Sequence, residues 1–272
     1  MGLPILPTRG DASSAELLRL FDKTEFHLAQ QLGDEEWLSA GAAFANVELA
    51  SVADANHVRQ AALPMGVSAE EAVGEVEKYF AARGTRCAYW VMNPAAEEER
   101  VRPLVEILIG RRWVGREREV MYLREGRMPE VQMAGMTIIP ARASYRHARE
   151  LAEQAAGDGE GWAERVEADI RRLDDPQCEG VLLLRDGQAI GRASVVTVGE
   201  IGRIEWVYVA QQWRRRGIGR ALLSRALEMC ARSLFKHVFA VVDPANTAGN
   251  RLLSQFGFQT IAAATTYQAG LL

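Results

Sequence analysis

The residues of this chain best suited to hold a ligand are Arg214-Arg215-Arg216-Gly217-Ile218-Gly219-Arg220, set between Val207-Tyr208-Val209 and the helical pattern that begins at Ala221-Leu222-Leu223. A strand that turns through such an Arg/Gly loop into a helix builds an anion cradle. The first N–H groups of a helix have no intrahelical acceptor and lie at the positive end of its dipole, so a pyrophosphate gains several hydrogen bonds there. Gly217 and Gly219 remove side chains from the approach, while Arg214, Arg215, Arg216 and Arg220 surround the anion with charge. A solvated arginine run ahead of an ordinary helix would explain the charges. It would not explain the glycines, each of which costs a helix about 1 kcal/mol relative to alanine. The stretch contains neither GxGxxG nor a GKS or GKT ending, which excludes the dinucleotide-fold and P-loop readings.

Just upstream, Arg203 to Val209 reads as a strand. With regular alternation, Ile204, Trp206 and Tyr208 line one face and Arg203, Glu205 and Val207 the other. Glu205 is then a candidate general base, or a structural carboxylate paired with Arg203 or Arg192. The histidines His27, His57, His147 and His237 form no HxxH or HExxH pattern, and Cys87, Cys178 and Cys230 form no CxxC pair. Neither a metal site nor a disulfide framework is expected, and the cysteines read as small buried residues. A net charge of −4 over 272 residues offers nucleic acid no general attraction. No apolar run approaches the roughly 18 residues of a membrane span, and the first residues lack a secretory pattern, so a cytoplasmic protein without membrane contact is expected.

Helices are expected from capping boxes at Ser13-x-x-Glu16 and Ser68-x-x-Glu71, the first helix ending near Gly33 and the second at Gly84. Phe44 to Val52 reads as extended, Cys87 to Met92 as a buried strand, and Val120 to Leu123 as another. A helix runs on to Gly110, with Pro103 expected to kink it or mark its start. The pattern breaks between Arg124 and Gly135, which sets a domain boundary at residues 130/131. Beyond it come a strand at Met136–Pro140, helices at Ser144–Ala156 and from Trp162, and a hairpin turning on Asp186-Gly187. Strand 203–209, helix 217–232, strand 237–242, helix 246–256 and strand 258–267 follow. Trp90-Val91-Met92-Asn93-Pro94-Ala95 echoes Ala240-Val241-Val242-Asp243-Pro244-Ala245, each followed by a helix and a glycine, which favours two related modules.

Arg214-x-x-Gly217-x-Gly219 after a Val-Tyr-Val strand resembles motif A of the GNAT N-acetyltransferase superfamily, and Val241, Asn246, Leu252 and Gly257-Phe258 resemble its motif B. The resemblance spans about Met136 to Leu272. It implies an α/β (α+β) fold of two tandem GNAT-like domains, each a mixed, mainly antiparallel sheet with flanking helices. Residues 1–130 would form a degenerate copy without the coenzyme motif, structural in role. Trp37, Tyr89, Trp90 and Trp113 are expected to serve its packing, the alternative being a pocket there. Residues 131–272 would form the acetyltransferase domain, with a splayed central parallel strand pair. The resemblance further implies acetyl-CoA as cosubstrate and no metal. Its pantetheine would pair with Val207, Tyr208 and Val209, its diphosphate would rest on Arg214, Arg215, Arg216, Gly217, Ile218, Gly219 and Arg220, and Asn246 would contact the pantetheine or thiol end. Glu205 would then accept the ammonium proton, and the N–H of Val207 or Val209 would polarise the thioester carbonyl. The family's usual acid, a tyrosine seven residues after the asparagine, is replaced by Leu253. Protonation by water, substitution by Ser254 or Tyr267, and slow catalysis all remain open. The expected reaction is transfer of acetyl to a primary amine of a small molecule in a ternary complex. A protein or peptide acceptor and a non-catalytic acyl-CoA sensor are the alternatives. A homodimer is among the assemblies this reading allows.

Overall fold

The computed structural model describes residues 12–126 and 135–269. Its helices are α1 (Ser14–Gln30), α2 (Ala69–Ala82), α3 (Glu98–Gly110), α4 (Tyr145–Ala156), α5 (Trp162–Asp174), α6 (Ile218–Arg232) and α7 (Thr247–Gln255). The strands are β1 (Asp34–Leu38), β2 (Gly41–Ala45), β3 (His57–Ala61), β4 (Tyr89–Met92), β5 (Trp113–Leu123), β6 (Met136–Pro140), β7 (Cys178–Arg185), β8 (Gln188–Val198), β9 (Ile201–Val209), β10 (His237–Val242) and β11 (Phe258–Ala269).

The chain folds into two compact units whose segments alternate along the sequence. Among the described residues, one comprises 25–117 and 264–269; the other comprises 12–24, 118–126 and 135–263. The boundary expected at residues 130/131 lies outside the described residues. In the smaller unit, β1, β2 and β3 form an antiparallel meander, β3 pairs in parallel with β4, and β4 pairs antiparallel with the end of β11 through Thr266↔Val91 and Tyr267↔Trp90. In the larger unit, β6, β7, β8 and β9 are successively antiparallel, β9 pairs in parallel with β10, and β10 pairs antiparallel with the second half of β5. The series β1-β2-β3-α2-β4-α3-β5 thus repeats as β7-β8-β9-α6-β10-α7-β11, with the closing strands exchanged. The repeat extends to detail. Asn93 Oδ1 accepts from Ala95 N at 2.8 Å, and Asp243 Oδ1 accepts from Ala245 N at 2.7 Å, so the same short turn leads from each parallel strand into its helix.

Sequence chemistry explains most of these elements. Ser13 with Glu16, and Ser68 with Glu71, form the expected reciprocal caps of α1 and α2. Asp186 (φ 50) and Gly187 (φ 76) form the two-residue turn that pairs Arg185 with Gln188. Helix α3 begins at Glu98 and passes through Pro103, so this proline does not mark the start. Strands β1 and β3 lie outside the stretch expected to be extended. The first is exposed along nearly its whole length, and the second buries the polar His57 and Arg59, so neither shows apolar alternation.

The smaller unit's core gathers Val73, Val76 and Phe80 of α2 against Val58, Trp90, Leu104 and Leu108. Trp113 and Tyr267 pack on its edge, and exposed Trp37 stacks on Phe26 with ring centres 6.1 Å apart. In the larger unit, α6 lays Leu222, Leu223, Ala226 and Cys230 on Val181, Leu183, Val195 and Ile204. Helices α4 and α5 cover the other face, where Asp169 of α5 meets Arg192 of β8. All three cysteines are free. No helix among the described residues is long and apolar enough to cross a membrane.

Candidate active site

Strands β9 and β10 pair from Ile201↔His237 to Ile204↔Ala240 and then part, although both continue. Glu205 is the first residue beyond the last pair. The segment Glu205–Val209 keeps its hydrogen bonds to β8 on one side and turns its other edge to the gap. This opening sits where the motif leads from β9 toward α6.

The two sides of β9 do not alternate as expected. The register against β8 shifts by one residue between Ser194↔Glu205 and Arg192↔Tyr208, and Trp206 there has φ 49. One extra residue in β9 reverses the alternation beyond it. Tyr208 therefore shares a face with Glu205 and Arg203, not with Ile204. Val207 and Val209 pack with Ile204 on the α6 side. Trp206 is held by Arg172, whose guanidinium carbon lies 4.8 Å from the ring centre.

After β9 a short 3-10 turn, Gln211–Trp213, brings the chain to the arginines. Arg214 Nε donates to Val209 O at 3.1 Å, Arg216 and Arg185 lie over the Trp213 ring at 4.9 and 5.2 Å, and Arg220 donates to Gln255 at 3.0 Å. Arg215 (φ 65) and Gly217 (φ 80, ψ −5) adopt left-handed backbone angles, and Gly217 is the N-cap of α6. No side chain caps this helix. A Cβ on Gly217 would enter open space, which leaves the N–H groups of Ile218, Gly219 and Arg220 accessible to an anion. At Gly219 an added Cβ would come within 3.3 Å of Leu252 on α7, so the position is also tight against that helix. Its missing side chain lets two helices approach.

The counterpart in the smaller unit is closed in both respects. Gln60 carries a matching left-handed angle (φ 53), yet β3 and β4 stay paired beyond it at Ala61↔Met92. The start of α2 is filled by its own groups: Glu71 accepts from Ser68 N at 3.0 Å, and Ser68 Oγ accepts from Glu71 N at 3.2 Å. The Ser68 N–H and the Ser68 hydroxyl, both donating to the Glu71 carboxylate, hold it below its ordinary range. A carboxylate thus occupies the place where an external anion would sit.

The other residues expected at the site are placed as follows. Glu205 is ion-paired with the buried Arg203, which also donates to Thr24 Oγ1 at 3.0 Å. Asn246 is the N-cap of α7, its Oδ1 accepting from Gly249 N at 2.9 Å. Leu253 is buried in the core beneath α7, and Ser254 beside it is exposed. Tyr267 belongs to the smaller unit and packs on its core. Along β9, Tyr208 borders a cleft of about 450 Å³ lined also by Gln154 and Ala155 of α4, Gln211, Gln212 and Arg214. The bulge, the α4 wall and the Arg172–Trp206 contact escaped the sequence reading, because no glycine or proline marks the bulge. Among the described residues, no cluster of three or more His, Cys, Asp or Glu side chains could hold a metal.

The comparisons with known proteins agree with this geometry. The whole fold is similar to that of a GCN5-related N-acetyltransferase from Kribbella flavida, with a TM-score of 0.66 and 18% identity over 97% of this chain and 98% of that one. It is similar also to a functionally unknown conserved protein from Staphylococcus epidermidis (TM-score 0.60, 12% identity, 88% of this chain and 95% of that one). A tandem GNAT protein from the clavulanic acid biosynthesis pathway matches with a TM-score of 0.52 and 13% identity over 75% of this chain and 70% of that one. At these identities the likeness is one of fold. Curated proteins yield no match. Residues 143–258 match the model described as the acetyltransferase (GNAT) family, a stretch that contains α4 to α7 and the parted strands. Residues 143–258, which hold the gap between β9 and β10, are thus similar to the acetyltransferase domain of the GNAT family.

Proposed function

We propose that the chain transfers the acetyl group of acetyl-CoA to a primary amine of a small molecule by direct attack in a ternary complex. The observation that carries this reading is the parting of β9 from β10 after Ile204, beside a helix start that no side chain caps. A pantetheine arm has the backbone edge of Val207, Tyr208 and Val209 to pair with. A diphosphate has the amides of Ile218, Gly219 and Arg220 and the charges of Arg214, Arg215 and Arg216. The sulfur then comes to rest toward Glu205, at the closed end of the gap, and Asn246, at the start of the helix that follows β10, is the residue to contact the pantetheine or thiol end.

The acceptor reaches the site as an ammonium and must lose a proton before its nitrogen can attack. Glu205 takes that proton, directly or through water. The nitrogen bonds to the thioester carbonyl carbon, and the N–H of Val207 or Val209 stabilises the oxyanion. Collapse breaks the C–S bond, and the second nitrogen proton goes to solvent or to the thiolate. With Leu253 buried in the core, no acid stands at that position of α7. A thiol with an ordinary pKa of about 8.5 is a good leaving group as the thiolate, and water can protonate it.

Calorimetry with acetyl-CoA, followed by thiol release with a panel of amines, tests the reading. Binding and amine-dependent release are expected, and Glu205→Gln should lower kcat by about 10²-fold. Absence of coenzyme binding refutes the proposal. A second reading, a non-catalytic acyl-CoA-binding module, draws on the engagement of Glu205 by Arg203 and on Leu253. Binding without turnover of any amine selects it.

A further inference from the structure

Resting on the acyl-transfer reading above, we infer that Arg172 and Asp169 of α5 are positioning residues for the reaction, which lock the bulge at Trp206 and so aim the amides of β9 at the gap. Between the pairs Ser194↔Glu205 and Arg192↔Tyr208, Ala193 of β8 faces both Trp206 and Val207. Successive residues of a strand direct their N–H groups to alternate neighbours. One extra residue therefore exchanges which amides of 207–209 look toward β8 and which look into the gap. Stabilisation of an oxyanion by Val207 or Val209 depends on that choice, because a donor acts only when it is aimed at the developing charge.

The bulge is made without a glycine. Trp206 takes φ 49, a left-handed angle that a bulky residue keeps only where its surroundings impose it. Those surroundings come from α5. The buried Arg172 guanidinium lies 4.8 Å from the centre of the indole ring. Its Nη1 is 3.7 Å from one oxygen of Asp169, and the other oxygen is ion-paired with Arg192, the β8 residue across from Tyr208. One carboxylate thus ties the cation over the bulged residue to the residue of β8 that closes the bulge. In a weakly screened interior each member of such a network fixes the others. None of the three belongs to the 214–220 cradle, so loss of the clamp should fall on turnover more than on coenzyme affinity.

The test uses the full chain, following thiol release from acetyl-CoA with a panel of primary amines and coenzyme binding by calorimetry. Arg172→Met fills the same space and leaves Asp169 paired with Arg192. It should lower kcat at least about tenfold, with coenzyme affinity nearly unchanged. Arg172→Lys, which keeps a cation for the ring, should recover most of the loss. Trp206→Leu removes the ring without disturbing any charge, and should match Arg172→Met in kcat even if the latter folds poorly. Glycine adopts the left-handed angle unaided, so in a Trp206→Gly background Arg172→Met should cost less than about twofold. Unchanged kcat in Arg172→Met or Trp206→Leu overturns the inference and leaves the acyl-transfer reading standing. An equal loss in both backgrounds, or a matching loss of coenzyme affinity, marks a general structural role and overturns it as well. Coenzyme binding by the parent chain without release to any amine is a failure of the acyl-transfer reading itself, and the inference falls with it.

Discussion

Acid should weaken the smaller unit through one side chain, His57. Its ring is stacked between Phe44 (centres 5.3 Å apart) and Tyr89 (4.4 Å), and it is 1% exposed. Burial, reinforced by the positive charge of Arg59, pushes its pKa from the ordinary 6.5 down to about 3. The unfolded chain takes up the proton near pH 6.5, whereas the folded one resists it until about pH 3. The contribution is therefore fully present above pH 6.5 and lost as the pH falls toward 3, at about 1.4 kcal/mol per pH unit. Between pH 7 and pH 5 this amounts to about 2 kcal/mol. Urea unfolding at both pH values, comparing the parent chain with His57→Phe, isolates the effect, since phenylalanine preserves the stack and cannot titrate. The parent should lose about 2 kcal/mol more than the variant over that interval. Equal losses would show that the ring is protonated or hydrated in the folded state, and the argument from burial would be refuted.

Gly217→Ala should cost about 1–2 kcal/mol of stability, because alanine resists the left-handed angle, and should weaken acetyl-CoA binding at least about tenfold in calorimetry by crowding the uncapped amides. Ser68→Ala should lower the stability of the smaller unit by about 1 kcal/mol in thermal unfolding while leaving coenzyme affinity unchanged, since that helix start is already filled by Glu71. The buried thiols of Cys178 and Cys230 should not react with a disulfide reagent at pH 8 until the chain is unfolded. Burial raises Cys178 to about 11 and Cys230 to about 12, so fast native labelling of either would contradict the packing.

The sequence discloses those features whose causes are local. The capping boxes at Ser68 and Ser13, the Asp186-Gly187 turn and the Arg/Gly start of α6 each depend on residues within a few positions of one another. The parting of the strands at Ile204 was foreseen only through family resemblance, since nothing in Ile204-Glu205-Trp206 marks it. The bulge stayed hidden because a tryptophan takes the left-handed angle that a glycine would have announced. The closeness of Gly219 to Leu252 is not legible in the sequence, because Leu252 lies on another helix. Strand β3 was missed because His57 and Arg59 are polar yet buried, Arg59 against Glu25 across the fold of the unit. Such partners are set by tertiary packing, which no short window of sequence reveals.

The trade of closing strands between the two repeats limits how the gene could be shortened. Strand β10 has β9 on one flank only as far as Ile204, and its other flank is occupied by β5, which is encoded before the second repeat begins. Deleting the upstream copy would strip that flank and expose a row of backbone donors and acceptors beside the parted strands, a surface prone to pairing with other chains. The upstream copy thus serves the second as a supplier of sheet edge, whatever chemistry it carries itself.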